Sequence, residues 1–455
     1  MDAEARVAIM LGNPKRAIIA MAIPIILSLL VAEVNTLADR AWCSGLGVEA
    51  IASISVVRPI YNVYSGLGAG LGVGAAAVIS RYIGAGRPAD ASSGAIQAII
   101  LAVVFGIVLT PVMFLLQPSL IELIGSDDIQ DSTVAYLTNF TVCLALIMVN
   151  GTIGGILNGQ GAANLSTAMM VVLAVSNIIL DPIFIYILDF GLVGASAATM
   201  VATSLSMLVG IWFMIGRRTY LRFRRSELRF ESEHMRVITR AGFPQMLEYL
   251  VVFGMDAVLN MIIISCAGSE GLTVFSTPDA LVALMIVPAM AIGSALVTVA
   301  SAAYGQRDLE RMRRAFLFAV ELTLAISVAL VAIVELMPGV FMSLFTYSGE
   351  MAELKPQIVD VMRIIAVYAP LFSMNPVCSG LLQAMKHPER SVVMAVIRNL
   401  ILIGLFMFAA GYSLTAICWA LDIGHVIGAA MSLFVAFFTY RAVSRTWDQT
   451  TSQTV

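Results

Sequence analysis

Twelve apolar stretches, each near the roughly 20 residues that cross a bilayer, follow one another along this chain. They cover 17–40, 52–78, 94–116, 132–156, 163–188, 192–215, 238–265, 273–302, 315–345, 357–384, 391–410 and 413–440. Nothing else in the sequence constrains the fold so strongly. An all-α integral membrane protein with 12 transmembrane helices is expected. Composition agrees, with 60% hydrophobic and 12% charged residues and a mean hydropathy of +0.93, far from a soluble domain.

Charge alternates between the connectors. The N-terminus (Arg6, Lys15, Arg16), the turn with Arg81 and Arg87, and Arg307 to Arg314 are basic. So are Lys386, Arg390, Arg441 and Arg445, and the segment 216–240 holds eight arginines. The intervening connectors are acidic or nearly uncharged, as with Glu122, Asp127, Asp128 and Asp131. The excess of positive charge on cytoplasmic loops puts both termini inside. Twelve spans satisfy that rule, whereas eleven or thirteen break it. The expected location is the plasma (inner) membrane of a prokaryote. Met1 to Lys15 reads as no cleavable leader. A net charge of −3 gives no reason to expect nucleic acid. The five cysteines are scattered without a CxxC pair and read as small apolar residues.

The chain repeats at half length. Ser80-Arg-Tyr-Ile-Gly84 returns as Ser301-Ala-Ala-Tyr-Gly305, and Pro24 as Pro244. Asn150 to Leu157 returns as Asn375 to Leu382. Six spans per half is an even number, so both halves insert with the same orientation and are related by an axis along the membrane normal. The expected units are an N-lobe over 1–215, an arginine-rich cytoplasmic linker over 216–237 and a C-lobe over 238–455. Glycines 66, 70 and 74 recur every fourth residue, which lets helices approach closely in lipid.

Acids inside such spans are costly and mark an ion or substrate path. Asp39 lies in the first span and Asp181 in the fifth, with Asn177 one helical turn before it on the same face. That trio points to a transporter.

The run Gly66-Leu-Gly-Ala-Gly-Leu-Gly-Val-Gly74, continuing through Ser80-Arg-Tyr-Ile-Gly-Ala-Gly-Arg87, resembles a signature of multidrug and toxic compound extrusion (MATE) transporters. Gly191-Leu-Val-Gly-Ala-Ser-Ala-Ala-Thr199, Ala303-Tyr-Gly-Gln-Arg307 and Gly380-Leu-Leu-Gln-Ala384 are similar to further stretches of that family. The resemblance implies two six-helix lobes in a V. It also implies export of amphipathic, usually cationic compounds in exchange for H+ or Na+. The archaeal and DinF-like branch of the family places an ion site on spans 1, 5 and 6, which falls here on Asp39, Asn177, Asp181 and Thr199. The directions of those spans put all four in the outer leaflet. Two carboxylates, an amide and a hydroxyl suit sodium, and two close carboxylates equally share a proton.

Weaker candidates surround that set. Glu33, Tyr136, Asn150, Glu248 and Asp256 are candidates for a substrate cavity, and Pro24 and Pro182 for helix bends. The NorM-like branch of the family uses acids in spans 7 and 10. Glu248 stands a turn early for that pattern, and span 10 holds no interior acid. Adding 221 to 58 pairs Arg58 with Asp279, a candidate extracellular gate between spans 2 and 8, unless each charge pairs within its own lobe. Arg363 and Arg398 are expected to meet C-lobe acids or carbonyls.

The expected function is secondary antiport of cationic drugs or toxic metabolites by alternating access. A flippase for lipid-linked saccharides is the alternative, set against few intramembrane bases. No GxSxG or HExxH motif is present and the three histidines lie apart, so no enzyme is expected. No cofactor is expected, and no metal beyond a coupling Na+. The partners are small amphipathic substrates and lipid, acting on a functional monomer.

Overall fold

Backbone inside lipid must satisfy its own hydrogen bonds, and helices do so within a single segment. The chain follows that rule in a computed structural model, which describes residues 2–124, 130–216, 218–222, 231–343, 345–346 and 349–452. Asp127 and Asp128, and residues 217 and 223–230 of the arginine-rich linker, lie outside the described residues.

A short helix α1 (Ala3–Leu11) precedes α2 (Pro14–Cys43), which starts on Pro14 with the Asn13 side chain accepting from Lys15 N. Then come α3 (Val48–Gly84), α4 (Pro88–Ile124), α5 (Gln130–Val142), α6 (Leu144–Gly159) and α7 (Ala163–Pro182). One π-helical turn (Ile183–Ile187) leads towards α8 (Gly191–Ile215). The second half holds α9 (Ser232–Gly305), α10 (Leu309–Leu336), α11 (Pro338–Ser343), α12 (Gly349–Ile365), α13 (Tyr368–Phe372), α14 (Met374–Ala384), α15 (Pro388–Ala410) and α16 (Leu414–Ser452). Helix α9 contains two spans, parted at Gly268, whose φ of 68° lies in the left-handed region that glycine tolerates. Among the described residues, eleven helices are long and apolar enough to cross a membrane. The pair α5–α6, bent by 52°, makes the twelfth.

Some boundaries differ from the sequence expectation. The ninth span ends at Leu336 rather than 345, because Pro338 disfavours helical geometry at Met337, and 338–343 turns separately as α11. The tenth is broken into α12, α13 and α14. Helix α9 begins at Ser232, so the last residues expected in the linker are helical.

The repeat appears as paired contacts. A Cβ on Gly84 would lie 2.1 Å from Ala302 O, and one on Gly305 would lie 2.1 Å from Arg81 O. Residues 81 and 302, and 84 and 305, are each 221 apart. The contact is therefore the same one made twice, as a two-fold axis requires. Loop geometry repeats as well: Gly86 and Arg307, 221 apart, both have positive φ, as do Gly161 and Lys386, 225 apart.

Glycine spacing on α3 serves two neighbours. A Cβ on Gly74 would lie 2.3 Å from Gly242 Cα of α9, and one on Gly72 would lie 2.6 Å from Gly151 O of α6. Alternate glycines thus seat α3 against the opposite half and against its own. The N-terminal part of α2 crosses over too. Ile18, Met21 and Ile25 share a core with Ile292, Leu296 and Leu382.

The basic connectors collect at one end of the bundle. There Arg81 Nη2 donates to Gln383 O at 3.3 Å, Tyr304 packs its ring on Trp447 at 4.9 Å, and Arg311 donates to Met10 O.

Candidate ion-binding site

Near the opposite end, four side chains from three helices of the first half meet. Asn177 and Asp181 are one turn apart on α7, and Asn177 Nδ2 donates to Asp181 Oδ1 at 2.9 Å. The same amide donates to Thr199 Oγ1 on α8 at 3.3 Å. Thr199 can accept because its own hydroxyl hydrogen is committed to Ala195 O at 3.0 Å. Asp39, near the end of α2, has its carboxyl within hydrogen-bonding reach of Asp181. Asn177 and Asp181 are almost wholly buried, Thr199 is buried, and Asp39 is half-buried.

The oxygens of this cluster are unevenly served. Asp39 Oδ1, Asn177 Oδ1 and Asp181 Oδ2 are buried and take no hydrogen bond. Three unused oxygens and two carboxyl groups in a water-poor setting form an arrangement suited to a cation. Hard oxygen donors fit sodium, and the carboxyl pair fits a shared proton.

The helices carrying the site are irregular. Pro182 ends α7 and passes into the π-helical turn, in which Leu188 N donates to Ile183 O at 2.8 Å. Such wide turns recur at functional sites. Tyr186 of this turn donates to Trp42 O, tying it to the end of α2. Pro24 lies inside α2, and its carbonyl accepts from Thr167 Oγ1 of α7 at 2.6 Å. The two proline-containing helices are thus coupled directly.

Other expected residues are dispersed. Tyr136 is buried against Phe140, with ring centroids 5.3 Å apart, and stands within electrostatic reach of Asp39 and Asp181. Asn150 is half-buried on α6, and Glu33 is exposed on α2. Glu248 is held in the second half, accepting from Ser391 Oγ at 2.7 Å and Ser379 Oγ at 3.3 Å. Asp256 is exposed, and Arg398 lies close to both acids. Arg363 stands near Glu335.

In this conformation Arg58 and Asp279 form no ion pair. Asp279 instead accepts from Tyr368 Oη at 2.7 Å, inside its own half. Residues related by a two-fold axis touch each other only beside that axis. Equivalence in the repeat alone therefore does not bring them together.

Sequence reasoning passes over Asp422 and Tyr368. Asp422 lies within the twelfth stretch and is buried on α16. An acid there carries the same signal as Asp39.

Residues 24–183 and 244–408 match the MatE family, one segment in each half. The chain belongs to this family. Multidrug export protein MepA of Staphylococcus saprophyticus is 23% identical over 390 residues, 85% of either chain. A FAD transporter of Shewanella oneidensis is 23% identical over 400 residues, 85% of this chain and 86% of that one. Among solved structures, MATE in complex with MaL6 is 29% identical with a TM-score of 0.92, covering 96% of this chain and 99% of that one. A MOP superfamily transporter from Pyrococcus furiosus is 30% identical with a TM-score of 0.91, covering 96% and 98%. The two-lobed, twelve-span MATE architecture is thus that of this chain.

Proposed function

We propose that this MATE protein is a secondary antiporter that exports amphipathic cationic compounds in exchange for H+ or Na+ by alternating access. The observation that supports it best is the convergence of Asp39 Oδ1, Asn177 Oδ1 and Asp181 Oδ2, all buried and unpartnered, beside two carboxyl groups in mutual reach. Binding a cation there satisfies oxygens that are otherwise costly to bury. Because α2 and α7 each bear a proline and are joined through Thr167 and Pro24, filling the site biases how the two helices bend. Ion binding in one state and substrate release in the other then follow from one equilibrium. The oxygen set is the one used by the archaeal and DinF-like branch, and we place the chain nearest that branch.

The second half supports a cationic cargo. Glu248, Asp256, Asp279 and Asp422 outnumber Arg398 and Arg363 along its spans. Export of a flavin dinucleotide, the reading drawn from the Shewanella relative, brings two phosphates against these acids and is disfavoured. The relatives named above include no lipid flippase, and that alternative gains nothing from them. We place the protein in a prokaryotic inner membrane as a monomer with both termini cytoplasmic, on the strength of the basic connectors gathered at one end. No cofactor takes part in this scheme.

Transport in proteoliposomes with proton and sodium gradients imposed separately tests the proposal. Ethidium should move against one of the two gradients and not without it. Equal ethidium movement with both gradients abolished overturns the antiport reading, and FAD movement in its place favours the second.

A further inference from the structure

Asp422 is 5% exposed on α16, and both its carboxylate oxygens are buried without a hydrogen-bond partner. An ionised carboxylate in that position is held away from bulk solvent with no protein donor among the described residues to stabilise its charge. Among the described residues no ion-pair partner faces it. On α16 itself, Cys418 and His425 stand about one turn to either side, and His425 Nδ1 is engaged with Leu421 O at 2.8 Å. From α13, Tyr368 comes within electrostatic reach, but its hydroxyl hydrogen is committed to Asp279. Helix α9 contributes Asp279 and Asp256 around the same tyrosine, and both are acids. From α15 comes Arg398, which lies beside Glu248 and Asp256. Among the described residues, no three His, Cys, Asp or Glu side chains converge to hold a metal ion.

We propose that Asp422 is a second proton-binding site, in the half of the molecule opposite the Asp39–Asp181 pair. In this arrangement Asp422 carries the proton on a carboxyl oxygen. When the second half rearranges and water reaches α16, the O–H bond breaks, the proton leaves to water and the charge stays on the carboxylate. Return to the dry arrangement requires a proton to be taken up again. The C-half thereby holds its own proton and adds to whatever the N-half carries. The site is independent of the coupling proposed above, and only the transport arm of its test rests on that reading.

Infrared difference spectra between acid and alkaline pH, on the purified full-length protein, test the site directly. The background is the double variant Asp39→Asn with Asp181→Asn, which silences the first pair. The carbonyl band of protonated carboxyl groups should lose intensity when Asp422→Asn is added, whereas Asp422→Glu should move the band and keep it. An unchanged band in both variants overturns the proposal, whether or not the protein transports anything. Should the asparagine variant fail to give monodisperse protein, the glutamate shift decides. In proteoliposomes with Asp39 and Asp181 intact, Asp422→Asn should lower the number of protons moved per ethidium. An unchanged ratio together with an unchanged band refutes the site, while loss of all coupling in wild type indicts the antiport reading instead.

Discussion

At positions 225 apart, the fifth and eleventh spans carry Asn177 and Asp181 in one half and Leu402 and Phe406 in the other. The alignment is anchored by Gly161 and Lys386, which share a left-handed backbone, and by Leu157 and Leu382 just before them. All four helix residues are buried, yet the first pair builds an oxygen-rich cluster and the second fills an apolar core. The same backbone plan therefore supports two chemistries. Duplication preserved what holds helices together, the glycine contacts and loop turns, while the polar site stands in one copy. The second half places its own acids elsewhere, on α9 and α16, where they meet Tyr368 instead of a second carboxyl pair.

The largest effect expected from this comparison is on coupling. Asp39→Asn and Asp181→Asn preserve size and remove the charge proposed to hold a cation. Gradient-driven ethidium efflux should fall about tenfold or more in either variant, equivalent to ~1.4 kcal/mol, with normal amounts of protein in the membrane. The matching change in the second half, Leu402→Ala, should leave the choice of driving ion unaltered. If both halves respond alike, the asymmetry drawn here is wrong.

Packing between the halves comes next. Gly84→Val forces a side chain into the Ala302 backbone and should cost about 1–3 kcal/mol by overpacking, seen as earlier loss of monodisperse protein on heating. Gly404→Ala on α15, where an added Cβ meets nothing within 4 Å, should be neutral or slightly stabilising. Equal heat sensitivity in the two variants contradicts the close approach at the axis.

Much of this was legible in the sequence. Span number followed from hydropathy, because it is local and cumulative. The cluster on α7 was legible through helical spacing. What escaped was set by tertiary geometry. That Arg58 and Asp279 occupy equivalent places says nothing about their distance from the axis. Whether Glu33 or Glu248 is hydrogen-bonded depends on helices far away in sequence, such as those carrying Ser379 and Ser391. The break at Met337 was readable from Pro338, since the residue before a proline leaves the helical region. The burial of Asp422 was hinted at by its place in an apolar stretch, but its lack of partners needed the packed helices.

A smaller effect tests whether the apolar copy can be converted. Leu402→Asn places an amide where Asn177 stands in the other half, among Ile365, Phe406 and Leu421. With no carboxylate to meet, the amide is left unsatisfied and should cost about 1–3 kcal/mol of stability. Thermal stability should drop with no new dependence on sodium or pH. A gain of ion-dependent stabilisation instead would show that the second half retains a latent site.

The smallest expected change separates the two neutral side chains of the proposed site from one another. Asn177 Nδ2 serves Asp181 and Thr199 together, and its Oδ1 is free for a cation. Removing it by Asn177→Ala takes away both a donor that orients the carboxylate and one oxygen of the proposed site. Thr199→Ala removes a hydroxyl whose hydrogen is already engaged with Ala195 O, leaving the Asn177–Asp181 bond in place. A typical hydrogen bond contributes about 0.5–1.5 kcal/mol net, so each loss should weaken apparent ion affinity by several-fold at most. Asn177→Ala should be the more damaging of the two. The measurement is the ion concentration giving half-maximal ethidium efflux in proteoliposomes. If Thr199→Ala proves worse than Asn177→Ala, the hydroxyl is the direct ligand and the amide only positions the carboxylate.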